Sequence, residues 1–123
     1  MTRVKFLLDQ GFYCSYDASN IEMCILANFL TDDASYNPSS FKQFALNDWE
    51  EYTSSNATAL EKDNGYILLS DLYSEEKVPT IVKITQNQYI KLLDDWKEKV
   101  LTLRPKKIVI RYENDEFIIE TNN

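Results

Sequence analysis

Histidine is absent from this sequence of 123 residues, and glycine, proline and cysteine are scarce. Without an imidazole, the catalytic triads and dyads that use histidine as the base are excluded. Only two glycines are present, and neither a GxxxxGK[ST] nor a GxGxxG phosphate-binding motif occurs. Two glycines and three prolines are also too few for a linker-rich or low-complexity architecture.

Thiol ligands for a metal ion are equally few. Cys14 and Cys24 form no CxxC pair, and a zinc site needs about four ligands in a chain that has no histidine. We therefore expect no metal ion and no cofactor. Both thiols are predicted to be small buried groups, and a disulfide between them is disfavoured in a reducing compartment.

The sequence also lacks a long hydrophobic run. The apolar stretch from Val4 to Leu8 is short and contains Lys5, so it fits neither a signal-peptide core nor a membrane span. This pattern predicts a cytoplasmic protein. With 44% hydrophobic and 13% aromatic residues, the chain is expected to fold as one globular domain, residues 1–123, that buries roughly two-thirds of its surface.

The hydrophobic periodicity predicts an α+β fold with a mixed or mostly antiparallel sheet and about three helices. Strands are expected over 3–8, 11–16, 57–73 (a hairpin), 80–85, 106–112 and 116–121. The last two of these are predicted to form a hairpin about Asn114-Asp115. A right-handed crossover would make 80–85 and 106–112 parallel neighbours.

Two of the predicted helices have capping signals. The first helix lies in SNIEMCILANFL, with a capping box of Ser19 and Glu22, and it should be buried on nearly all sides. The third helix, 86–103, starts with a capping box at Thr85, and Pro105 ends it.

The second predicted helix lies in PSSFKQFALNDWEEY, with Ser39 or Ser40 as its N-cap. An apolar stripe at helical spacing runs along it and includes Trp49 and Tyr52. This spacing favours placement of both aromatic side chains in the core.

Residues 60–71, LEKDNGYILLSD, superficially match a calcium-binding EF-hand loop. If Gly65 takes the sixth position of such a loop, the first and third positions hold Leu60 and Lys62 instead of acidic ligands. Asn64-Gly65 is, in contrast, a strong signal for a two-residue hairpin turn, because both positions accept positive φ. The stretch is therefore predicted to be a β-hairpin.

The excess negative charge lies in the middle of the chain. Residues 32–76, the acidic segment, carry ten acidic side chains against two lysines, whereas the whole chain has a net charge of −7. Asp32-Asp33 and Glu50-Glu51 fall near the expected carboxyl ends of the first two helices, where the macrodipole disfavours anions. Acids in such positions are candidates for an external role, unless they lie beyond the last helical turn.

Adjacent carboxylates do not by themselves predict catalysis. Glycosidases and two-metal nucleases place their acids in one cleft at defined separations. Neighbouring acids on a strand or helix instead point in different directions. We therefore predict that the acids are solvated surface groups and that the protein is not an enzyme.

The charge pattern predicts a protein partner. An acidic surface repels nucleic acid and anionic membranes and attracts basic proteins, such as those that bind or cleave nucleic acid. Interfaces combine steering charges with rigid aromatic anchors. The predicted partner-binding residues are Asp48, Glu51, Glu61, Asp63, Tyr66, Asp71, Tyr73, Glu75 and Glu76.

The whole chain resembles the bacterial immunity proteins of contact-dependent growth inhibition systems. The features behind this resemblance are the short length, the acidity, the helix SNIEMCILANFL and the ending LLDDWKEKV…PKKIVIRYENDEFIIET. It implies a cytoplasmic inhibitor that binds the C-terminal domain of a cognate toxin, often a nuclease, and blocks it.

Two other functions fit the sequence. The chain could be an intracellular adaptor or chaperone-like module that binds through its carboxyl-terminal hairpin edge or a helix groove. A carboxylate-based, metal-dependent hydrolase ranks last. The oligomeric state, and the choice between plugging the toxin's active site and binding beside it, stay open at this level.

Overall fold

The computed structural model describes residues 1–122, which form two four-stranded sheets and three α-helices and so confirm the α+β class. The elements are β1 (Arg3–Asp9), β2 (Phe12–Tyr16), α1 (Ile21–Asn28), α2 (Pro38–Leu46), β3 (Tyr52–Ser54), β4 (Thr58–Asp63), β5 (Tyr66–Asp71), β6 (Val82–Thr85), α3 (Gln86–Asp95), β7 (Lys107–Glu113) and β8 (Glu116–Asn122). Two π-helical segments, Phe29–Ala34 and Trp96–Leu101, continue α1 and α3 respectively.

Both sheets are antiparallel throughout. The first sheet has the strand order β2-β1-β7-β8 and the second has the order β3-β4-β5-β6. The crossover expected between 80–85 and 106–112 is wrong, because β6 and β7 belong to different sheets. Helix α3 and the π-helical segment after it lead from one sheet to the other.

Two-residue turns join the β1–β2, β4–β5 and β7–β8 hairpins. The central pairs Gln10-Gly11, Asn64-Gly65 and Asn114-Asp115 all have positive φ, as the twist of a tight hairpin requires. Gly65 has φ +84°, and the stretch LEKDNGYILLSD forms the β4–β5 hairpin, as predicted.

The core lies where the helices meet both sheets. Helix α1 contacts β1 and β5, and α3 contacts β6 and β8. Alternate strand residues face this core, so Val4 and Phe6 of β1 are buried opposite Ile110 and Ile108 of β7. Trp96, which follows α3, is fully buried, and its ring centroid lies 5.1 Å from that of Phe6. No helix in the described part of the chain is long and apolar enough to cross a membrane.

The first helix cap differs from the prediction. The side chain of Asn20, not Ser19, accepts the hydrogen bond from the backbone N–H of Met23 at 3.0 Å. The Ser19 hydroxyl instead accepts hydrogen bonds from the backbone N–H groups of Thr2 and Arg3. Ser19 therefore anchors the start of β1 rather than the start of α1.

The second cap also differs, and the third is as predicted. Helix α2 begins after Asn37, whose side chain accepts from the N–H of Ser40 at 3.2 Å, with Pro38 at the first helical position. Proline suits that position because it has no N–H to leave unpaired. Helix α3 has the predicted capping box of Thr85 and Gln88.

Helix α2 is shorter than predicted. It ends at Leu46, and Asn47 then adopts an extended conformation and accepts a hydrogen bond from the N–H of Glu50. Such local side-chain hydrogen bonds compete with helix continuation. The expected core placement of Trp49 and Tyr52 is wrong, because they are 77% and 57% exposed and Tyr52 begins the unpredicted strand β3. The acids that follow Asn47 lie beyond the helix, outside its dipole penalty.

The cysteine prediction is also wrong. Cys14 and Cys24 are both exposed and free. Cys14 pairs in register with Leu7, which is itself exposed on the outer face of the first sheet.

Candidate protein-binding surface

The carboxylates of the acidic segment make no ion pairs within residues 1–122. The ion pairs of the described chain use acids outside this segment, namely Asp17, Asp94, Asp95, Glu113 and Glu120. The negative charge of residues 32–76 is therefore not neutralised by salt bridges within the fold.

The two lysines of the acidic segment contact groups other than the carboxylates of that segment. Lys42 forms an ion pair with Asp94 of α3 at 3.0 Å. The ammonium of Lys62 donates hydrogen bonds to the backbone oxygens of Phe44 at 2.7 Å and Asn47 at 2.8 Å. Neither lysine offsets the exposed acids of its own segment.

The outer face of the first sheet has the opposite character. Asp17 pairs with Arg3 at 2.9 Å and with Lys5 at 3.4 Å, and Arg111 pairs with Glu113 and Glu120. The hydrogen bond from Arg3, followed by that from Lys5, holds the pKa of Asp17 below its usual value. Charge on this face is balanced locally, so the molecule is electrostatically asymmetric.

A groove of about 580 Å³ lies at one end of the second sheet. We call it the acidic groove, and its lining residues are Asn28, Asp32, Tyr36, Asn56, Ala57, Asp71 and Tyr73. Asp71 ends β5 and lies opposite Thr58 of β4, which places the groove beyond that end of the sheet. Tyr36 and Tyr73 are 67% and 74% exposed.

The groove joins three separate parts of the chain. Asp32 comes from the π-helical segment after α1, and its backbone oxygen accepts a hydrogen bond from the Asn56 side chain at 3.3 Å. Asp71 accepts a hydrogen bond from the N–H of Tyr73 at 2.9 Å, which fixes the start of the β5–β6 connection. Two carboxylates beside two phenol rings are suited to an ammonium or guanidinium group, through charge-assisted hydrogen bonds and cation–π contacts.

A second acidic group lies on the outer face of the second sheet. Glu61 lies opposite Tyr52, and Asp63 lies opposite Tyr66. The ammonium of Lys83 lies 4.3 Å from the centre of the Tyr66 ring. This face therefore combines acids with exposed aromatic rings, although Lys83 already occupies one of the rings.

All nine predicted partner-binding residues are exposed, but the structure divides them into two groups. In the first group, Asp71 and Tyr73 line the acidic groove, and Glu75 and Glu76 follow in the β5–β6 connection. In the second group, Glu61, Asp63 and Tyr66 lie on the outer face of the second sheet, and Asp48 and Glu51 lie in the α2–β3 connection. The length of β5 separates Tyr66 from Asp71 by about 17 Å at ~3.4 Å per residue. Asp63 lies opposite Tyr66, whereas Glu61 lies opposite Leu68 in the middle of β5.

The sequence-based list omitted Asp32, Tyr36 and Asn56, which line the groove together with Asp71 and Tyr73. The available signal was the acid pair at the end of the first helix followed by an aromatic residue. The sequence pattern contains no indication that the segment after α1 folds back beside the end of β5.

Across residues 1–122, no group of three or more acidic or thiol side chains could hold a metal ion.

Comparison of this chain with protein-family models, curated proteins and solved structures gives no match.

Proposed function

We propose that this chain is a cytoplasmic immunity protein that binds a basic toxin domain, a nuclease, and blocks it through its acidic surface. The observation that supports this function is the absence of ion pairs among the ten carboxylates of the acidic segment within the described residues. Unpaired surface acids accelerate association with a cationic protein and complement its lysines and arginines.

A nuclease presents such a cationic surface, because its substrate is a polyanion. An inhibitor that covers this surface competes directly with the nucleic acid and needs no catalytic group of its own. A typical interface buries about 800 Å² on each partner, which corresponds to a disc about 30 Å across. A disc of that size is wider than the ~17 Å length of β5, so one partner is large enough to contact both acidic groups.

The test is capture of the partner by the tagged chain from its native cell, followed by association kinetics. We expect a basic protein with nuclease activity that this chain inhibits stoichiometrically. The association rate should fall steeply between about 50 mM and about 500 mM salt, because screening shortens the range of the attraction. Capture of no basic partner, or a rate that ignores ionic strength, would contradict the proposal.

Charge reversal identifies the surface. The triple variant Asp71→Lys, Glu75→Lys and Glu76→Lys should slow association at least tenfold. A matched control, made of the same reversal at the exposed acids Asp9, Glu98 and Glu116, has the same net charge and should slow it less than threefold. If both triple variants slowed association equally, the association rate would depend on the net charge of the protein rather than on this surface.

One observation favours a second function, that of an adaptor. Strand β8, Glu116–Asn122, is an edge of the first sheet, and such an edge accepts an added strand from a partner. An adaptor that binds there should keep its partner when Asp71, Glu75 and Glu76 are reversed, whereas the inhibitor should lose it.

A further inference from the structure

Asp33 has an unusual environment. Its side chain is only 2% exposed, and its Oδ1 atom accepts a hydrogen bond from the backbone N–H of Ala57 at 3.3 Å. The other carboxylate oxygen, Oδ2, is buried and has no hydrogen-bond partner among residues 1–122. A buried polar atom without a partner costs free energy, so a donor that reached Oδ2 by displacing the groups that cover it would relieve that cost.

Asp33 also lines a cavity of about 250 Å³ next to the acidic groove. This volume is room for a side chain rather than for a single water, whose share of liquid volume is about 30 Å³. Tyr36 and Asn56 line both the cavity and the acidic groove, so the two spaces are neighbours.

The other walls of the cavity define what fits it. Glu50 supplies a second carboxylate, Phe41 and Phe44 supply aromatic rings, and Ser54 supplies a hydroxyl group. Among the described residues that line the cavity, none is a lysine or an arginine. The cavity thus offers acceptors and aromatic surface, although the ammonium of Lys62 already lies 4.8 Å from the centre of the Phe44 ring.

We propose that this cavity receives an arginine side chain of the toxin partner, with the guanidinium donating to Oδ2 of Asp33. A guanidinium is planar, presents five donors and stacks on aromatic faces, whereas an ammonium is a compact and strongly hydrated charge. That the arginine comes from a toxin rests on the proposed function. The preference for a guanidinium group rests only on the residues that line the cavity. Asp33 then serves as a central anchor point, and the exposed acids around it steer the partner.

The chemistry of the cavity can be tested without the toxin. The ¹⁵N-labelled protein is titrated with Nα-acetyl-arginine amide, and in parallel with the corresponding lysine and citrulline amides. We expect a saturable chemical-shift change at the Ala57 amide, which is bonded to Asp33. The lysine and citrulline probes should bind at least fivefold more weakly. The lysine ammonium lacks the planar set of donors of a guanidinium, and the citrulline side chain lacks the positive charge. A non-saturable change, or equal binding of all three probes, would overturn the proposal.

Matched variants locate the binding. Asp33→Asn keeps an oxygen that accepts from the Ala57 N–H, but it replaces Oδ2 with an NH₂ donor and removes the negative charge of the carboxylate. The arginine probe should therefore bind at least tenfold more weakly. Asp9→Asn makes the same change of net charge at an exposed acid outside the cavity and should leave binding within twofold. Should Asp33→Asn fail to fold, Glu50→Gln tests the opposite wall, with at least threefold weaker binding expected. Unchanged binding in the folded wall variant would overturn the assignment.

The two proposals can fail separately. Saturable arginine binding without capture of any basic partner would remove the immunity function and leave the arginine cavity. Toxin binding that weakens on charge reversal of Asp71, Glu75 and Glu76 but not in Asp33→Asn would support the immunity function and remove the arginine cavity.

Discussion

The ammonium of Lys62 lies 2.7 Å from the backbone oxygen of Phe44 and so connects strand β4 to the last turn of α2. The last carbonyl groups of a helix have no partner within the helix, and its macrodipole places partial negative charge there. Lys62 also bonds the backbone oxygen of Asn47 at 2.8 Å. This lysine therefore caps α2 from the neighbouring sheet.

The variant Lys62→Met should lower the free energy of unfolding by about 1–3 kcal/mol, because hydrogen bonds from a charged group to helix carbonyls are lost. Chemical denaturation followed by circular dichroism measures the change. Lys77→Met, at an exposed lysine that forms no ion pair in the described chain, makes the same change of net charge and should cost less than about 0.5 kcal/mol. Equal losses in both variants would show that charge rather than capping is responsible.

A buried tyrosine joins α3 to α2. The hydroxyl of Tyr89 donates to the backbone oxygen of Phe41 at 2.9 Å, and the side chain is 1% exposed. Burial raises the pKa of Tyr89 well above its usual value. The folded state therefore favours the neutral phenol, and this stabilisation is present below pH about 10 and is lost as the pH rises further.

The variant Tyr89→Phe should lower the free energy of unfolding by about 1–2 kcal/mol at neutral pH, since the Phe41 oxygen loses its donor. In an absorbance titration, Tyr89 should ionise only when the protein unfolds in alkali, and the variant should lose one late-titrating tyrosine. Tyr16→Phe, at an exposed tyrosine, should leave stability nearly unchanged. Reversible ionisation of Tyr89 in the folded protein near pH 10 would contradict this account.

Periodicity and turn chemistry predicted most of the elements but not their assembly. Asn64-Gly65 and the Thr85–Gln88 capping box are local signals, in which neighbouring residues determine the conformation, and both are confirmed. The end of α2 combines a local hydrogen bond, from the Glu50 N–H to the Asn47 side chain, with a tertiary one, from Lys62 to the Asn47 backbone oxygen. The apolar spacing that extends to Tyr52 could not reveal this competition.

The candidate surface was predictable in composition and not in geometry. The charge count identified an acidic segment, and the acids of that segment predicted to bind a partner are all exposed. It could not show that Asp32 and Tyr36 meet Asp71 in one groove, since that contact depends on how the segment after α1 folds back. Nor could it distinguish the buried Asp33 from its exposed neighbour, because burial at the end of a helix depends on tertiary packing.

The two tryptophans lie in opposite environments and report on different events. Trp49 is 77% exposed in the α2–β3 connection, and Trp96 is fully buried. Iodide should quench the emission of Trp49 but not that of Trp96. Trp49→Phe should remove the quenchable component and change the free energy of unfolding by less than about 0.5 kcal/mol.

Trp49 lies close in sequence to Asp48 and Glu51, so partner binding at the acidic surface should protect it from iodide. The control is Trp49→Phe, whose remaining fluorescence should show no such protection. A complex in which Trp49 stays fully quenchable would place the partner away from the α2–β3 connection.

Asp17 gives the first sheet a specific response to acid. Because Arg3 and Lys5 lower its folded-state pKa below the unperturbed value of 3.8, the ionised carboxylate favours folding. This contribution is present above pH about 4 and is lost as the pH falls through the folded-state pKa. Asp17→Asn should therefore reduce stability at neutral pH, and its difference from the parent protein should shrink in stronger acid. Asparagine tolerates the positive φ at this position, so the backbone is not strained.

Denaturation at a series of pH values measures this difference, and a carbon-detected carboxyl titration gives the pKa of Asp17 directly. Asp9→Asn, at an exposed acid of the same sheet that is not ion-paired in the described chain, is the matched control and should show a smaller difference at neutral pH. A difference for Asp17→Asn that stays constant down to strong acid would mean that its ion pairs with Arg3 and Lys5 do not stabilise the fold. The effect of Asp17→Asn on stability would then come from the local backbone conformation at position 17 alone.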